Sequence, residues 1–126
     1  MVLIVGGAYQ GKKKFACEQL EIKEQELVDG RDCPYGSLMT ARGMHHLQDY
    51  VKRMLLDQQD ATQNILAEVE DNTEVILLCN ELGCGLVPID AFDRTYRESV
   101  GRLQCELAKR SKEVYRVTCG IGARMK

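Results

Sequence analysis

The residues best suited to chemistry form one glycine-rich segment near the N-terminus. It fits the phosphate-loop pattern G-x-x-x-x-G-K-[ST] at every position except the last. In this pattern the glycines allow backbone N–H groups to wrap around a phosphate, and the lysine reaches its outer oxygens. A glycine-rich turn that binds nothing is the alternative. We predict a nucleotide-binding loop made of Gly6, Gly7, Ala8, Tyr9, Gln10, Gly11, Lys12 and Lys13.

The last position of this loop departs from the pattern. Lys13 stands where the motif has Ser or Thr, whose hydroxyl ordinarily ligates Mg²⁺ beside the outer phosphates. An ammonium group cannot ligate a cation, so the sequence favours phosphate binding more than Mg²⁺-dependent catalysis. Three successive lysines, 12–14, also place positive charge in the first turn of the predicted helix, which a bound anion would offset.

The elements that must position this loop follow from the apolar pattern. Four apolar segments are typical of strands: 2–5, 26–30, 75–79 and 113–118. Four others have helical spacing: 12–20, 40–56, 61–69 and the stretch from Phe92 to Leu107, for which Asp90 is the predicted N-cap. Strands that alternate with helices predict an α/β fold, with a mostly parallel sheet of about four to five strands and helices on both faces.

Composition excludes several function classes. The chain has 126 residues, of which 44% are apolar and 29% charged, with a net charge of −2. This balance is typical of a globular domain and gives no field that would recruit nucleic acid or an anionic membrane. No apolar run approaches the roughly 18–20 residues that span a bilayer, and the apolar start is too short for a signal peptide. We therefore expect a single cytoplasmic domain over 1–126 that binds neither nucleic acid nor membrane.

Cysteine and histidine spacing gives no metal site. The six cysteines include no Cys-x-x-Cys pair, so we expect most of them to be free thiols in a reducing compartment. His45 and His46 fall inside the predicted helix 40–56, where adjacent side chains point about 100° apart. That geometry is poor for chelation, and we predict no metal site.

Three further motifs resemble a known family. Residues 80–88 read Asn-Glu-Leu-Gly-Cys-Gly-Leu-Val-Pro, residues 96–103 contain Tyr-Arg-Glu-x-x-Gly-Arg-Leu, and residues 113–115 read Glu-Val-Tyr. In order and spacing they resemble the N-E-V-G-x-G-I-V-P, F-R-D-x-x-G-R and D-E-V-Y segments of the bifunctional adenosylcobinamide kinase/adenosylcobinamide-phosphate guanylyltransferase family of cobalamin biosynthesis. The family's loop, G-G-A-R-S-G-K-S, matches Gly6–Ala8, Gly11 and Lys12. The resemblance covers roughly residues 1–20 and 74–120.

The resemblance implies a fold and an activity. The fold is that of phosphate-loop NTPases, and the nucleotide is GTP or ATP. The family phosphorylates a hydroxyl of the corrinoid adenosylcobinamide and then transfers GMP to that phosphate through a guanylylated histidine. Its members are homo-oligomers, often trimers. This chain is shorter than they are, and the missing length falls between the first helix and Asn80.

The resemblance also suggests catalytic residues. Arg42-Gly43-Met44-His45 resembles the family's Arg-x-x-His segment, in which the nucleophile follows a similar arginine on a helix, so His46 or His45 is the candidate GMP carrier; a pair of solvated histidines is the alternative. Glu81 matches the acid of the family's N-E segment, and Asp29 ends an apolar strand. Either acid would serve a metal or act as base, although Asp29 is also suited to a simple turn.

Two function classes follow. The first is a shortened kinase/nucleotidyltransferase of this family, supported by the retained motifs. The second is a nucleotide-binding sensor or partner subunit that has lost catalysis, supported by Lys13 and the missing central segment. A small kinase with another substrate is a weaker third. No N/T-K-x-D guanine motif is present, so the choice between GTP and ATP stays open.

Overall fold

The computed structural model describes residues 1–82 and 90–126. Residues 83–89, which hold most of the 80–88 motif, lie outside the described residues. In chain order the elements are β1 (Val2–Gly6), α1 (Lys12–Gln19), β2 (Leu27–Asp29), β3 (Gly43–His45), α2 (Leu47–Leu56), α3 (Ala61–Glu70), β4 (Ile76–Asn80), α4 (Ala91–Arg110), β5 (Glu113–Thr118) and β6 (Ile121–Arg124). Short 3-10 helices occur at Glu24–Glu26 and Ser37–Met39.

The strands form one sheet whose order is β2-β3-β4-β1-β5-β6. The five strands from β2 to β5 in this order run parallel, and only β6 pairs antiparallel. The predicted α/β fold with a mostly parallel sheet is confirmed. In the described part of the chain the sheet has six strands, whereas four to five were predicted. The two strands that the prediction lacked are β3 and β6.

Both faces of the sheet are buried, as a parallel sheet requires. Alternate residues of β1 point to opposite sides: Leu3 joins a cluster with residues of α2, α3 and α4, whereas Ile4 joins a smaller one with Ala16 of α1 and Val117 of β5. The prediction of helices on both faces is confirmed, with three helices on one side and α1 on the other. Each fully buried aliphatic side chain contributes about 1.5–3 kcal/mol to this packing.

The helix predicted over 40–56 is wrong in its first part. Residues 43–45 form β3 instead, and the helix begins only at Leu47, after His46 adopts a left-handed conformation with φ of 56°. Met44 fits the helical spacing of the apolar residues, yet it reaches the same core from a strand. At Gly43 a Cβ atom would lie 2.7 Å from Leu27 Cδ2, so the close packing of β3 against its neighbour requires glycine.

The other helix boundaries agree with their sequence signals. Asp90 caps α4 by accepting a hydrogen bond from the backbone N–H of Phe92 at 2.7 Å, as predicted. Across the two described ranges, no helix combines the length and apolar character needed to cross a membrane. The five described cysteines are free thiols.

Candidate functional site

A cleft of about 480 Å³ lies beyond the carboxyl ends of the parallel strands, the edge where α/β sheets bind ligands. The phosphate loop and the start of α1 form one wall. Arg31, which follows β2, the end of β3 and the start of α2 form the other. The described residues that line it are 8–14, Arg31, His45, His46, Gln48, Asp49, Leu78, Asn80, Leu82 and Tyr96.

Lys12 holds the phosphate loop closed from inside. Its side chain is buried, and its Nζ donates hydrogen bonds to the carbonyl oxygens of Gly7 at 2.7 Å and Gly6 at 3.3 Å. Burial lowers the pKa of Lys12, and the nearby Cys79 and Glu81 oppose that shift. The ammonium group thus lies within the loop, where a phosphate oxygen would compete with these two carbonyl groups for it.

The loop is also fixed from outside by the turn between β5 and β6. The backbone N–H of Cys119 donates to Gln10 Oε1 at 2.6 Å, and that of Gly120 donates to the Gln10 carbonyl at 2.8 Å. Gly11 precedes α1 with φ of 92°, and a Cβ there would lie 3.2 Å from Gly120 Cα. Glycine at position 11 therefore satisfies both a left-handed backbone and a close approach. Tyr9, at the tip of the loop, is fully exposed.

Lys13 does not fit the Mg²⁺ ligand position of a phosphate loop. Its Nζ lies 3.1 Å from Glu24 Oε1 in an exposed ion pair. A lysine side chain offers donors only, so the hydroxyl that ordinarily ligates the ion has no counterpart at this position. The residues present do not fit a Mg²⁺ site of the usual loop type.

The opposite wall brings together Asp29, His45 and His46. In the pairing of β2 with β3, Asp29 is in register with His45, which places both at the strand ends. The nearest oxygens of Asp29 lie 3.3 Å from His46 Nδ1 and 3.9 Å from His45 Nε2. One ligand atom from each of the three residues lies within 4.8 Å of the others. The two histidines are not on a helix, so the divergence expected of them does not apply.

His46 carries a buried nitrogen without a hydrogen-bond partner. Within the described residues, its Nδ1 is the one enclosed side-chain nitrogen or oxygen that lacks such a partner. Although Asp29 Oδ1 is 3.3 Å away, this contact does not qualify as a hydrogen bond. For His45, burial lowers the pKa, which the carboxylate of Asp29 partly opposes. The His45 side chain is 13% exposed and that of His46 is 32% exposed, and the ring centroids lie 4.5 Å apart.

Arg31 also contacts Asp29, and the sequence analysis missed it. Its Nε and Nη2 donate to both carboxylate oxygens at 2.7–3.1 Å, and its backbone N–H donates to Oδ1 at 2.9 Å. The Arg31 hydrogen bonds hold the pKa of Asp29 well below its usual range. The spacing Asp-x-Arg after an apolar strand was the available signal. Between them stands Gly30, where a Cβ would lie 2.3 Å from the His46 carbonyl oxygen.

Glu81 is placed apart from this cluster. Its backbone N–H donates to the Gly6 carbonyl at 2.8 Å, and its carboxylate accepts from Arg116 Nη2 at 2.9 Å. Its neighbours Asn80 and Leu82 line the cleft. The structure therefore brings Asp29 and His46 together but leaves Glu81 beside the loop, paired with β5.

Gln48 and Tyr96 also line the cleft and were not predicted as site residues. Gln48 Oε1 accepts the backbone N–H of Asn80 at 3.0 Å, which joins α2 to the end of β4. Tyr96 is partly buried, and burial raises its pKa. Its position in the apolar stripe of α4 suggested a core residue, and nothing in that spacing distinguishes a cleft wall from a core.

Comparison with known proteins agrees with this architecture. The family model for cobinamide kinase / cobinamide phosphate guanyltransferase matches residues 35–125. The bifunctional adenosylcobalamin biosynthesis protein CobU of Escherichia coli K12 is 35% identical over 78 residues, which are 56% of this chain and 43% of that protein. The protein with the same description from Salmonella typhimurium LT2 is 40% identical over 53 residues, 42% of this chain and 29% of that protein.

The aligned segments thus cover less than half of either relative. The family match nevertheless spans most of this chain, from the segment before β3 through β6, and so includes both histidines and the whole sequence of the 80–88 motif. The phosphate loop lies N-terminal to the matched residues. The chain belongs to the cobinamide kinase / cobinamide phosphate guanyltransferase family.

Proposed function

We propose that this protein binds GTP or ATP in the cleft and transfers a phosphoryl or guanylyl group to a corrinoid of the adenosylcobinamide type. The observation that carries the proposal is the composition of the cleft. One wall is an anion-binding loop, and the wall facing it holds a histidine next to a carboxylate. As part of the same proposal, the protein acts in the cytoplasm as a homo-oligomer, with a trimer expected from the family.

The loop wall binds the triphosphate. Residues 8–13, which include the N-terminus of α1, line the cleft, and the backbone N–H groups of such a loop and helix start favour an anion. Lys12 Nζ exchanges its two carbonyl partners for phosphate oxygens, with which a charge-assisted hydrogen bond is stronger. Positive charge from Lys13 and Lys14 adds to the attraction, because both residues line the same cleft.

The histidine wall carries the nucleophile. His46 Nδ1 is enclosed beside Asp29, so Nε2 is the nitrogen that attacks. The Nε2 lone pair forms a bond to the α-phosphorus of GTP while the bond to the bridging oxygen breaks and pyrophosphate leaves. A phosphate oxygen of the corrinoid then takes the GMP group and frees the ring. We assign the supporting acid to Asp29, since Glu81 is paired with Arg116.

The second candidate is a nucleotide sensor or partner subunit without catalysis. The ion pair between Lys13 and Glu24 favours it, because the position of the ordinary Mg²⁺ ligand holds a cation. In that case the nucleotide binds, its phosphates are held by lysines, and no group is transferred.

Calorimetric titration with GTP and ATP, each with and without Mg²⁺, tests nucleotide binding. We expect saturable binding of one nucleotide per chain. Tighter binding with Mg²⁺ supports the enzyme, whereas binding that is indifferent to Mg²⁺ supports the sensor. Lys13→Ser then restores Mg²⁺-dependent turnover if only the hydroxyl is missing. Absence of binding to either nucleotide overturns both candidates.

Intact-mass measurement after incubation with GTP tests the covalent step. We expect a GMP adduct on the wild-type protein, its loss in His46→Gln and its retention in His45→Gln, which is the matched control. An adduct that persists in His46→Gln and is lost in His45→Gln would move the nucleophile by one residue. Nucleotide binding without any adduct would favour the sensor.

A further inference from the structure

The cluster on the histidine wall has a property that the transfer reaction does not use. Asp29, His45 and His46 come from two neighbouring strand ends and the residue that caps α2. They offer two imidazole nitrogens and one carboxylate oxygen to a common point. This donor set is one that divalent transition metals prefer, and three protein ligands leave coordination positions open.

The distances suit a shared ion. Donor atoms about 2.0–2.2 Å from one zinc ion lie about 3.0–3.5 Å from each other. The distance from His46 Nδ1 to Asp29 Oδ1, 3.3 Å, is within that range, and the distance from His45 Nε2 to the other carboxylate oxygen, Oδ2, is 3.9 Å and just above it. All three ligand atoms already lie within 4.8 Å of one another.

The unpartnered nitrogen is independent support. His46 Nδ1 is buried, faces Asp29 and has no hydrogen-bond partner in the described part of the chain. Buried polar atoms without partners are rare in native proteins, and a bound ion is one established explanation. A metal ion between His46 and Asp29 would satisfy this atom.

From this arrangement we propose that Asp29, His45 and His46 bind a divalent first-row transition metal ion, such as Zn²⁺ or Co²⁺. The ion lies in the same cleft as the phosphate loop, with open positions for oxygen ligands. It places a cation on the wall opposite Lys13, where the loop itself offers no ligand. A metal ion on His46 Nδ1 leaves the ring proton on Nε2, so the metal-bound cluster is a state distinct from the one in which Nε2 attacks phosphorus. Metal binding requires no nucleotide and is tested without it.

Arg31 competes with the metal for Asp29. Its guanidinium occupies both carboxylate oxygens, yet its side chain is 60% exposed. Because an exposed arginine can turn into solvent at little cost, the metal displaces it. This competition predicts the direction of each effect. Removing the Arg31 guanidinium strengthens metal binding, whereas removing any of the three ligands weakens it.

Titration of the full-length protein with Co²⁺, without nucleotide and followed by visible absorption, tests the site. We expect one ion per chain with the spectrum of nitrogen and oxygen ligands. His45→Gln, His46→Gln and Asp29→Asn each weaken binding by at least about tenfold. Asp32→Asn, an exposed acid of the same loop, is the matched control and binds like the wild type. Calorimetry with Zn²⁺ should reproduce this order.

Three results would overturn the proposal. The first is no stoichiometric binding of either ion. The second is a thiolate-to-cobalt charge-transfer band, which would place the ion on cysteines. The third comes from Arg31→Gln, which should bind Co²⁺ several-fold more tightly; an unchanged affinity would show that Asp29 is not a ligand. This last variant keeps all three ligands, so it remains informative if a ligand variant fails to fold.

Discussion

The two walls of the cleft are built in different ways. The loop wall is one continuous segment of the cleft, with a single buried lysine that is hydrogen-bonded within it. The histidine wall is assembled from side chains at the ends of β2 and β3 and the start of α2. The shape of the loop wall depends on local backbone conformation, because glycines and a left-handed turn form it. The histidine wall depends on the register between β2 and β3, because Asp29 lies beside His45 only when these two strands pair.

This difference determines how each wall responds to substitution. A change within the loop alters one local conformation and one charge. A change at the histidine wall alters contacts between elements that pack against the rest of the core. We therefore expect substitutions in the histidine wall to lower the free energy of unfolding, and substitutions in the loop wall to lower the affinity for a ligand.

Gly30→Ala should give the largest effect. Its Cβ would lie 2.3 Å from the His46 carbonyl oxygen, and backbone must move to accept it, at a cost of about 1–3 kcal/mol in the free energy of unfolding. Gly101→Ala is the matched control, since nothing lies within 4 Å of its added Cβ, and it should stabilise α4 by up to about 1 kcal/mol. Urea unfolding measures both. Equal stability of the two variants would contradict the close packing at Gly30.

Lys12→Ala tests the loop wall. Loss of a charge-assisted hydrogen bond to phosphate, about 1.5–3 kcal/mol, should weaken nucleotide binding by about tenfold to a hundredfold. Lys14→Ala should change the affinity by no more than about twofold, because Lys14 is exposed and pairs loosely with Glu18. Calorimetry with GTP decides. If Lys14→Ala weakened binding as much as Lys12→Ala, the loop would act as a diffuse charge and not as a defined phosphate site.

Glu68→Gln tests how the histidine wall is supported. Glu68 is buried and accepts hydrogen bonds from Tyr50 Oη at 3.0 Å and the Leu38 N–H at 3.2 Å, which anchors the helix that His46 caps. Burial raises the pKa of Glu68, so this group favours the folded state most below the ordinary carboxyl pKa and loses that contribution as pH rises through its raised value.

The variant should lack this pH dependence. An amide keeps the acceptor oxygen and carries no charge, so Glu68→Gln should gain stability relative to the wild type as pH increases from acid to neutral. Thermal unfolding at a series of pH values measures the difference. A constant difference between the two proteins across that range would show that Glu68 titrates normally in the folded state.

Lys13→Ala should have the smallest effect on stability. The pair with Glu24 is exposed, and such pairs contribute about 0–1 kcal/mol. Removing one of three cations from the first turn of α1 offsets part of that loss. Urea unfolding should therefore give a change below about 1 kcal/mol, with Lys14→Ala as control. A larger loss would mean that Lys13 supports the fold instead of the ligand.

The sequence analysis succeeded where information was local. The strand and the helix on either side of the glycine-rich loop have clear apolar patterns and form where they were expected, and Asp90 caps α4 as predicted. Nucleotide binding by the loop stays a prediction. The α/β fold followed from the alternation of such segments.

The histidine wall could not be predicted in the same way. The strand β3 has only three residues, and its Met44 continues the helical spacing of α2, so the local pattern favoured a helix. The left-handed conformation of His46 separates β3 from α2. A histidine has no strong preference for that conformation, so the residue type does not predict the break. The contact between Arg31 and Asp29 also needed the turn that follows β2.

The turn at Cys119–Gly120 has a consequence for the dynamics of the loop. Its two backbone N–H groups hold Gln10 from a point more than a hundred residues away in sequence. The loop therefore loses its conformational entropy when the sheet forms and not when a ligand arrives, so binding proceeds with little induced fit. Because of these two hydrogen bonds, a change in the hairpin of β5 and β6 also affects the loop. A substitution that destabilises the hairpin would speed amide hydrogen exchange around Gln10, although no loop residue is changed.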